Sequence, residues 1–308
     1  MNVKQDMKVS ETGKVTDRLW YLGDEKSCIY LLEGAEDAMI VSGGMSHIIP
    51  TVLQQMEAFG INEDHIRKLV ILHAHFDHIG VVPFFKRRYP QLEIYASSRA
   101  WEIIDAPDAI KTINEFARLT NEKLGFADAL ATFDYCWRDD VSGVSVKEGD
   151  IIDLGGMTVQ IFETPGHSSC SISAYVPEIR ALFPSDGGGI PHKGEIIPAG
   201  NSNYTLFQRS LEKLQNLEVN YLCADHGGVV KNREAGEFIS QTMQVAEQFR
   251  RLVESVYERT GDMEATVRHL VALRYAKDPE YFISEEIVSG VYGQIVRHIA
   301  GEIGREKG

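Results

Sequence analysis

The sequence predicts an α/β fold with additional helices at its C-terminal end. Short apolar segments of strand-like composition alternate with helical patterns as far as about residue 230, which is typical of a layered α/β protein. From residue 232 onward the apolar spacing is helical almost throughout. We therefore place a soft boundary near residue 230, between a mixed domain (1–230) and a C-terminal helical cap (231–308).

The elements of the first hundred residues follow from turn and cap signals. Three strand segments, RLWYLGD, CIYLLEG and DAMIVSGG, are separated by Gly, Asp and Glu. A helix is predicted from about 48 to 60, because Pro50 suits a first helical turn and Gly60 suits a helix end. The apolar strand KLVILHAH, a helix over 79–89 and the strand LEIYAS continue the alternation.

The remaining elements include an insertion. Residues 98–130 have helical spacing and no strand signal, so we predict an inserted helical segment. Strands follow in VSVKEGDIIDLGGMTVQIFETPGHSS, and CSISAYVPEIRALFPSDGG resembles a hairpin. A helix near 203–217 leads to the short strand NYLCADHGG, and three helices follow with breaks at Gly261 and KDPE.

Composition restricts the classes of function. The chain has 308 residues, 44% hydrophobic and 25% charged, which is typical of a globular protein. Its net charge of −14 argues against nucleic acid and anionic membranes as partners, because both select for clustered Lys and Arg. Scattered cysteines and the lack of a signal-peptide core or long apolar run predict a cytoplasmic protein. We expect a small-molecule substrate and leave a homodimer open.

The segment LVILHAHFDHIGVV concentrates potential metal ligands at the end of an apolar strand. His73 and His75 alternate along the strand and can point to one ion. Asp77 and His78 lie past the strand end, where a loop can direct them to a neighbouring point. Imidazole and carboxylate bind Zn²⁺, Fe or Mn²⁺. The segment therefore predicts one full metal site or halves of two.

Three further candidate ligands occur in similar contexts. His167 lies in TPGHSS, Asp186 in FPSDGG and His226 in ADHGG. Each follows an apolar strand and lies beside glycine, which allows the backbone to approach an ion closely. These positions strengthen the prediction of a metal centre at strand ends.

The motifs resemble those of a known family. HAHFDH is similar to the HxHxDH signature of the metallo-β-lactamase superfamily, and TPGHS, PSDGG and ADHGG match its later motifs in order. The resemblance covers about residues 15–230 and implies an αββα sandwich with a binuclear centre. It implies a first ion bound by His73, His75 and His167, a second bound by Asp77, His78 and His226, and Asp186 bridging both.

The resemblance implies metal-assisted hydrolysis in a catalytic domain formed by residues 1–230. Two ions can share a water molecule and lower its pKa, so that hydroxide forms at neutral pH. Asp77 is the candidate catalytic residue, orienting the water or relaying a proton. Zn and Fe are the favoured metals, and Mn is also open.

The substrate is predicted from the branches of the superfamily. His75 stands where flavodiiron proteins have a carboxylate, which argues against that branch. The layout resembles that of glyoxalase II and the quinolone signal response thioesterase, so a small thioester is favoured. A lactone or phosphodiester is the alternative, and a regulatory protein that retains the metal site is also open.

Several other residues receive structural interpretations. We assign His192 and Lys193 to a solvated loop and His47 to a surface or capping role. The aromatic residues of the segment 98–137 are interpreted mainly as packing, with a pocket for an apolar acyl group as the alternative. These residues are Trp101, Phe116, Phe126, Phe133, Tyr135 and Trp137.

Overall fold

The protein is a four-layered sandwich of two β-sheets between two layers of helices. The computed structural model describes residues 11–281 and 283–306. Within them, the two sheets pack face to face, and helices cover the outer face of each sheet. This arrangement confirms the predicted α/β fold class and its αββα layering.

Among the residues that the structure describes, the first sheet contains seven strands: β1 (Gly13–Thr16), β2 (Leu19–Gly23), β3 (Cys28–Glu33), β4 (Ala38–Val41), β5 (Ile66–Val70), β6 (Glu93–Ser97) and β7 (Val144–Val146). They lie in chain order across the sheet. The first four pair antiparallel, whereas β4 to β7 pair in parallel. Parallel neighbours require crossover connections, and helices supply them here.

The crossover helices and the insertion cover the outer face of this sheet. They are α1 (Ile49–Phe59), α2 (Val82–Arg88), α3 (Ser98–Ile104), α4 (Pro107–Lys123) and α5 (Ala127–Leu130). Helix α1 has Pro50 in its first turn and ends at Gly60, which is left-handed with φ +66°, as the sequence signals predict. The segment 98–130 is helical as predicted, and it forms two short helices on either side of the 17-residue helix α4.

The second half of the chain contributes eight strands: β8 (Ile151–Asp153), β9 (Thr158–Glu163), β10 (Ile172–Val176), β11 (Ala181–Phe183), β12 (Ile190–His192), β13 (Glu195–Ile197), β14 (Tyr221–Cys223) and β15 (Val229–Lys231). Six form the second sheet in the order β15-β14-β11-β10-β9-β8. Strands β11 and β14 are parallel and are linked through helix α6 (Tyr204–Leu214). Strands β12 and β13 form a separate hairpin.

The β12–β13 hairpin was not predicted from the sequence. Each of its strands is three residues long, one contains Pro191, and neither has a regular alternation of apolar and polar residues. Its turn needs positive φ at Lys193 (+46°) and Gly194 (+77°). So short a pairing has too little sequence signal to be separated from a loop.

Strand β3 illustrates how the layers form. Cys28, Tyr30 and Leu32 pack between the two sheets, whereas Ile29 and Leu31 pack under the outer helices. All five are essentially inaccessible to solvent. The alternation of faces along a strand places both sets in a core, which is why the segment is apolar at every position.

Three helices complete the chain: α7 (Asn232–Thr260), α8 (Met263–Lys277) and α9 (Glu285–Glu306). Gly261 ends α7 in a left-handed conformation. Phe238 of α7 and Ile295 of α9 lie in the same buried cluster as Leu222 of β14. These helices thus extend the outer helical layer of the second sheet. No helix among the described residues has the length and apolar character needed to span a membrane.

Candidate metal centre

Four chain segments bring polar side chains to one edge of the sandwich. Strand β5 leads into residues 73–78, and β9, β11 and β14 each end just before one of the later predicted ligands. Strands β9, β11 and β14 run in the same direction. The Ile172 N–H donates to the Leu72 carbonyl at 2.9 Å and joins the two sheets here. All seven predicted side chains consequently face a common centre.

The first half of the centre is a cluster of three imidazoles. His73 Nε2 lies 3.1 Å from His75 Nδ1, and His167 Nε2 lies 3.0 Å from the same atom. Two nitrogens bound to one tetrahedral zinc ion at ~2.1 Å would be about 3.4 Å apart. The three nitrogens are therefore spaced closely enough to surround a single ion.

The second half combines carboxylates with imidazoles. His78 Nε2 lies 3.4 Å from Asp77 Oδ2, and His226 Nε2 lies 3.7 Å from the same oxygen. Asp186 lies between the halves, because its Oδ2 is 3.4 Å from His78 Nε2 and 3.5 Å from His167 Nε2. The position of Asp186 suits a carboxylate that bridges two ions.

Backbone carbonyls hold the far side of two imidazoles. Nδ1 of His167 lies 2.8 Å from the Ala199 carbonyl, and Nδ1 of His226 lies 2.7 Å from the Lys26 carbonyl. A carbonyl only accepts hydrogen bonds, so Nδ1 carries the proton in both rings. Their Nε2 atoms then present lone pairs to the centre when the rings are neutral, as metal coordination requires.

The imidazoles of the first half are neutral at physiological pH. Burial lowers the pKa of His73 well below its usual value, and the neighbouring His78 adds to this effect. Loss of hydration inside the cluster, with help from His167, lowers the pKa of His75 to about 4, although part of this residue reaches solvent. The pKa of His167 is lowered by burial as well. Three neutral nitrogens with facing lone pairs form a set suited to Zn²⁺ or another borderline cation.

The second half has the opposite electrostatics. Burial lowers the pKa of His226, but Asp186 and Asp77 raise it by more, to about 9. Burial raises the pKa of the Asp77 carboxyl, but His78 and His226 hold it well below its usual range. Without metal, protonated imidazoles thus balance the carboxylates. A divalent cation can replace these protons.

Glycine shapes the loop that carries His167. Gly166 has φ +137°, and a Cβ on this residue would lie 2.2 Å from the backbone nitrogen of Phe207 in α6. Ser202 and Asn203, just before α6, donate backbone N–H bonds to the Gly166 carbonyl. The loop therefore packs directly against the start of α6 and fixes the position of the ligand.

Sequence reasoning missed two residues beneath the centre, Ser185 and Asp225. Asp225 Oδ2 lies 2.8 Å from His78 Nδ1, and Ser185 Oγ lies 3.0 Å from His73 Nδ1. Ser185 also donates its hydroxyl hydrogen to Asp225. The available signal was their position directly before the ligands Asp186 and His226.

Two of the discounted histidines differ from their predicted settings. His192 is not in a solvated loop, because its side chain is only 15% exposed and its Nε2 lies 2.8 Å from Asp278. His47 is 4% exposed and packs against the ring of Phe126. Lys193 is solvated as predicted, with a side chain 58% exposed.

The aromatic residues of the insertion divide into two groups. Trp101 and Trp137 are buried core residues, as the packing interpretation predicts. Phe116 is 49% exposed and stacks on Phe76, with ring centroids 5.2 Å apart. Phe76 lies between His75 and Asp77, so this apolar pair adjoins the metal loop.

Comparison with known proteins identifies the family. A model of the metallo-beta-lactamase superfamily matches residues 22–226, well over half of the chain. The chain belongs to the metallo-beta-lactamase superfamily. Most members of this superfamily are metal-dependent hydrolases, although some are not hydrolytic.

Individual superfamily members cover different parts of the chain. A metallo-beta-lactamase fold-containing protein of Sulfurisphaera tokodaii is 25% identical over 223 residues, which are 71% of this chain and 79% of the relative. A hydroxyacylglutathione hydrolase of Rhodopseudomonas palustris is 29% identical over 165 residues, which are 45% of this chain and 62% of the relative. A solved metallo-beta-lactamase family protein of Thermus thermophilus has a TM-score of 0.65 at 15% identity, covering 92% of this chain and 94% of that structure. This last likeness shows the fold and extends beyond the sandwich into the C-terminal helices.

Proposed function

We propose that the protein is a two-metal hydrolase that acts on a small thioester. The proposal rests on seven side chains of metal-ligating type that converge on one centre. Backbone carbonyls on the far side of His167 and His226 hold these rings so that Nε2 of each faces the centre. Such a donor set suits a pair of divalent cations, with zinc or iron as the preferred metals.

Each predicted ligand has a specific role in this proposal. The first ion would be held by His73, His75 and His167, the second by Asp77, His78 and His226, and Asp186 would contribute to both. Bound ions of this kind lower the pKa of a shared water from ~15.7 towards 7 and polarise the oxygen under attack. Asp77, with a side chain 27% exposed, is placed to accept a hydrogen bond from the water and orient it.

The exposed side of the centre indicates where a substrate approaches. His73, His78 and His167 are buried, whereas His75 is exposed and Asp77 is partly exposed. A substrate therefore approaches from the side of residues 75–77. The rings of Phe76 and Phe116 stack beside these residues, which suits the apolar part of an acyl group.

The leaving group favours a thioester over an ester or lactone. Hydrolysis transfers a proton of the attacking water to the leaving group, and a group that can depart before it receives this proton is the easier to expel. A thiolate, whose conjugate acid has a pKa near ~8.5, departs without one, whereas an alkoxide is far more basic. The hydroxyacylglutathione hydrolases among the relatives agree with this choice. We expect a small molecule rather than nucleic acid as the substrate, because a net charge of −14 disfavours binding to a polyanion.

The proposal is tested on full-length protein purified without added metal. We expect about two equivalents of metal by elemental mass spectrometry and turnover of acyl thioesters that scales with metal content. His226→Ala is expected to lose the second ion and most turnover. His269→Ala, an exposed histidine on α8, is the matched control and should behave as wild type.

Other outcomes would overturn specific parts of the proposal. Turnover of bis-p-nitrophenyl phosphate or of lactones, without thioester turnover, would refute the assigned substrate class. Two equivalents of metal with no hydrolysis of any of these substrates would refute the hydrolase assignment. Protein without stoichiometric metal that also fails to bind added Zn²⁺ would refute the metal centre itself.

A further inference from the structure

We propose that Ser185 and Asp225 form one hydrogen-bonded support that orients an imidazole in each half of the metal centre. They act as positioning residues, because both contact the far side of ligands and not the ions. The inference rests on the two-metal centre of the proposed function. We refer to the pair as the serine–aspartate support.

The support is buried and continuous. Ser185 is 1% exposed and Asp225 is 3% exposed. His73 Nδ1 lies 3.0 Å from Ser185 Oγ, Ser185 Oγ donates to Asp225 Oδ2, and His78 Nδ1 lies 2.8 Å from the same Oδ2. A single carboxylate oxygen thus connects a ligand of the first ion with a ligand of the second.

The direction of the hydrogen bonds fixes the ring protons. A carboxylate can only accept, so Asp225 receives the hydroxyl hydrogen of Ser185 and the Nδ1–H of His78. The Ser185 oxygen is then an acceptor for the Nδ1–H of His73. Both rings keep a proton on Nδ1, and Nε2 is the atom that each presents to its ion.

The backbone around the support is held from the other sheet. The hydroxyl of Tyr30 donates to the Ala224 carbonyl at 2.6 Å, and the Cys28 thiol lies 3.3 Å from the Asp225 carbonyl oxygen. Ser185 has φ +49°, a left-handed conformation that is unfavourable for a residue with a Cβ. The fold tolerates this conformation where it places the hydroxyl between His73 and Asp225.

A role for Asp225 as a ligand of a separate ion is less consistent with the geometry. The donor atoms of His73, His78 and Asp225 are close enough to surround an ion. Ser185 Oγ, however, lies within hydrogen-bond distance of His73 Nδ1 and of Asp225 Oδ2. The Nδ1 atoms of His73 and His78 make hydrogen bonds to Ser185 and Asp225, whereas Nε2 of both rings faces the other predicted ligands. An ion bound through these Nδ1 atoms would have to displace those hydrogen bonds.

The arrangement predicts different effects for the two residues. Ser185→Ala removes the acceptor for His73 and is expected to weaken the first ion 10- to 100-fold, with less than about threefold change for the second. Asp225→Asn keeps the shape of the side chain but removes the charge that both Ser185 and His78 contact. It is expected to weaken both ions by about 10-fold or more.

The test measures metal binding and ring tautomers. Stepwise Zn²⁺ dissociation constants are obtained by competition with a chromophoric chelator, using protein stripped of metal. Ser173→Ala is the matched control, because Ser173 is a fully buried serine whose hydroxyl bonds to Thr164 and not to a predicted ligand. Wild-type affinity for both ions in Ser185→Ala and Asp225→Asn would overturn the inference.

A second readout does not require bound metal. Long-range ¹H–¹⁵N spectra of the metal-free protein report which nitrogen of His73 carries the proton. We expect Nδ1–H in the wild type and in Ser173→Ala, and a shift towards Nε2–H in Ser185→Ala. An unchanged His73 tautomer in Ser185→Ala would refute the role of the serine–aspartate support, whether or not the protein hydrolyses thioesters. Failure of the inference is therefore distinguishable from failure of the proposed function. If Asp225→Asn does not fold, Ser185→Ala alone decides.

Discussion

The two halves of the metal centre are expected to differ in how their metal affinity depends on pH. In the metal-free protein His226 has a pKa of about 9, because Asp186 and Asp77 outweigh the effect of burial. The second ion must therefore displace a proton below this pH. In the first half, His75 has a pKa of about 4, so no proton has to leave this ring at neutral pH.

The magnitude follows from the number of protons displaced. One displaced proton changes an apparent binding constant tenfold per pH unit. Between pH 6 and pH 8 the affinity for the second ion should rise about 100-fold or more, because His78 also has a raised pKa. Burial lowers the pKa of His78, but Asp77 and Asp186 raise it well above the usual value. The affinity for the first ion should change less than about threefold over the same range.

The assay is a pH series of Zn²⁺ titrations against a chelator, corrected for protonation of the chelator itself. Calorimetry in buffers of different ionisation enthalpy counts the released protons independently. At least one proton is expected to be released with the second ion and close to none with the first. Equal pH slopes for the two ions would refute the electrostatic difference between the halves.

Three substitutions test other parts of the structure. Gly166→Ala should destabilise the protein by about 3 kcal/mol or more, because the added Cβ would clash with the backbone of Phe207. Thermal unfolding measures the loss of stability, and a loss below about 1 kcal/mol would contradict the prediction. Trp137→Phe should lower the free energy of unfolding, measured with denaturant, by about 1–3 kcal/mol, because it removes the indole N–H that donates to the buried Ile79 carbonyl at 3.0 Å. Unchanged stability would show that this bond is dispensable. Phe116→Ala should change stability by under about 1 kcal/mol, since the ring is half exposed. It should raise the KM of small thioesters with an apolar acyl group severalfold and leave kcat unchanged. The KM of an acetyl thioester is the control, and equal effects on both substrates would refute an acyl-binding role.

The sequence predicted the fold class and all seven ligand candidates because both depend on local pattern. Histidine and aspartate at the ends of apolar strands, with glycine beside them, mark positions where a chain can approach an ion. The structure brings these residues together at one edge. Ser185 and Asp225 directly precede two of these ligands, but their role depends on which ring nitrogen they face, and that is decided only by the packing of the two sheets.

The hairpin and His47 show the same limit in different ways. Strands of three residues, as in Ile190–His192, lie below the length at which alternation is recognisable. His47 was assigned a surface or capping role because it does not follow an apolar strand, yet Phe126 from the inserted helices covers it. A contact between residues so distant in sequence cannot be predicted from either segment alone.

The division of the ligands between the two sheets also sets an order for the biosynthesis of the centre. Translation completes the segment 73–78 first, when no partner from the second sheet yet exists. His167 is needed before the first ion has its third imidazole, and His226 before the second ion has its full set. If the protein binds two ions as proposed, a growing polypeptide could not acquire both until translation has passed His226. Metal loading would then be a late step in its maturation, and chains terminated before His226 would lack a ligand of the second ion.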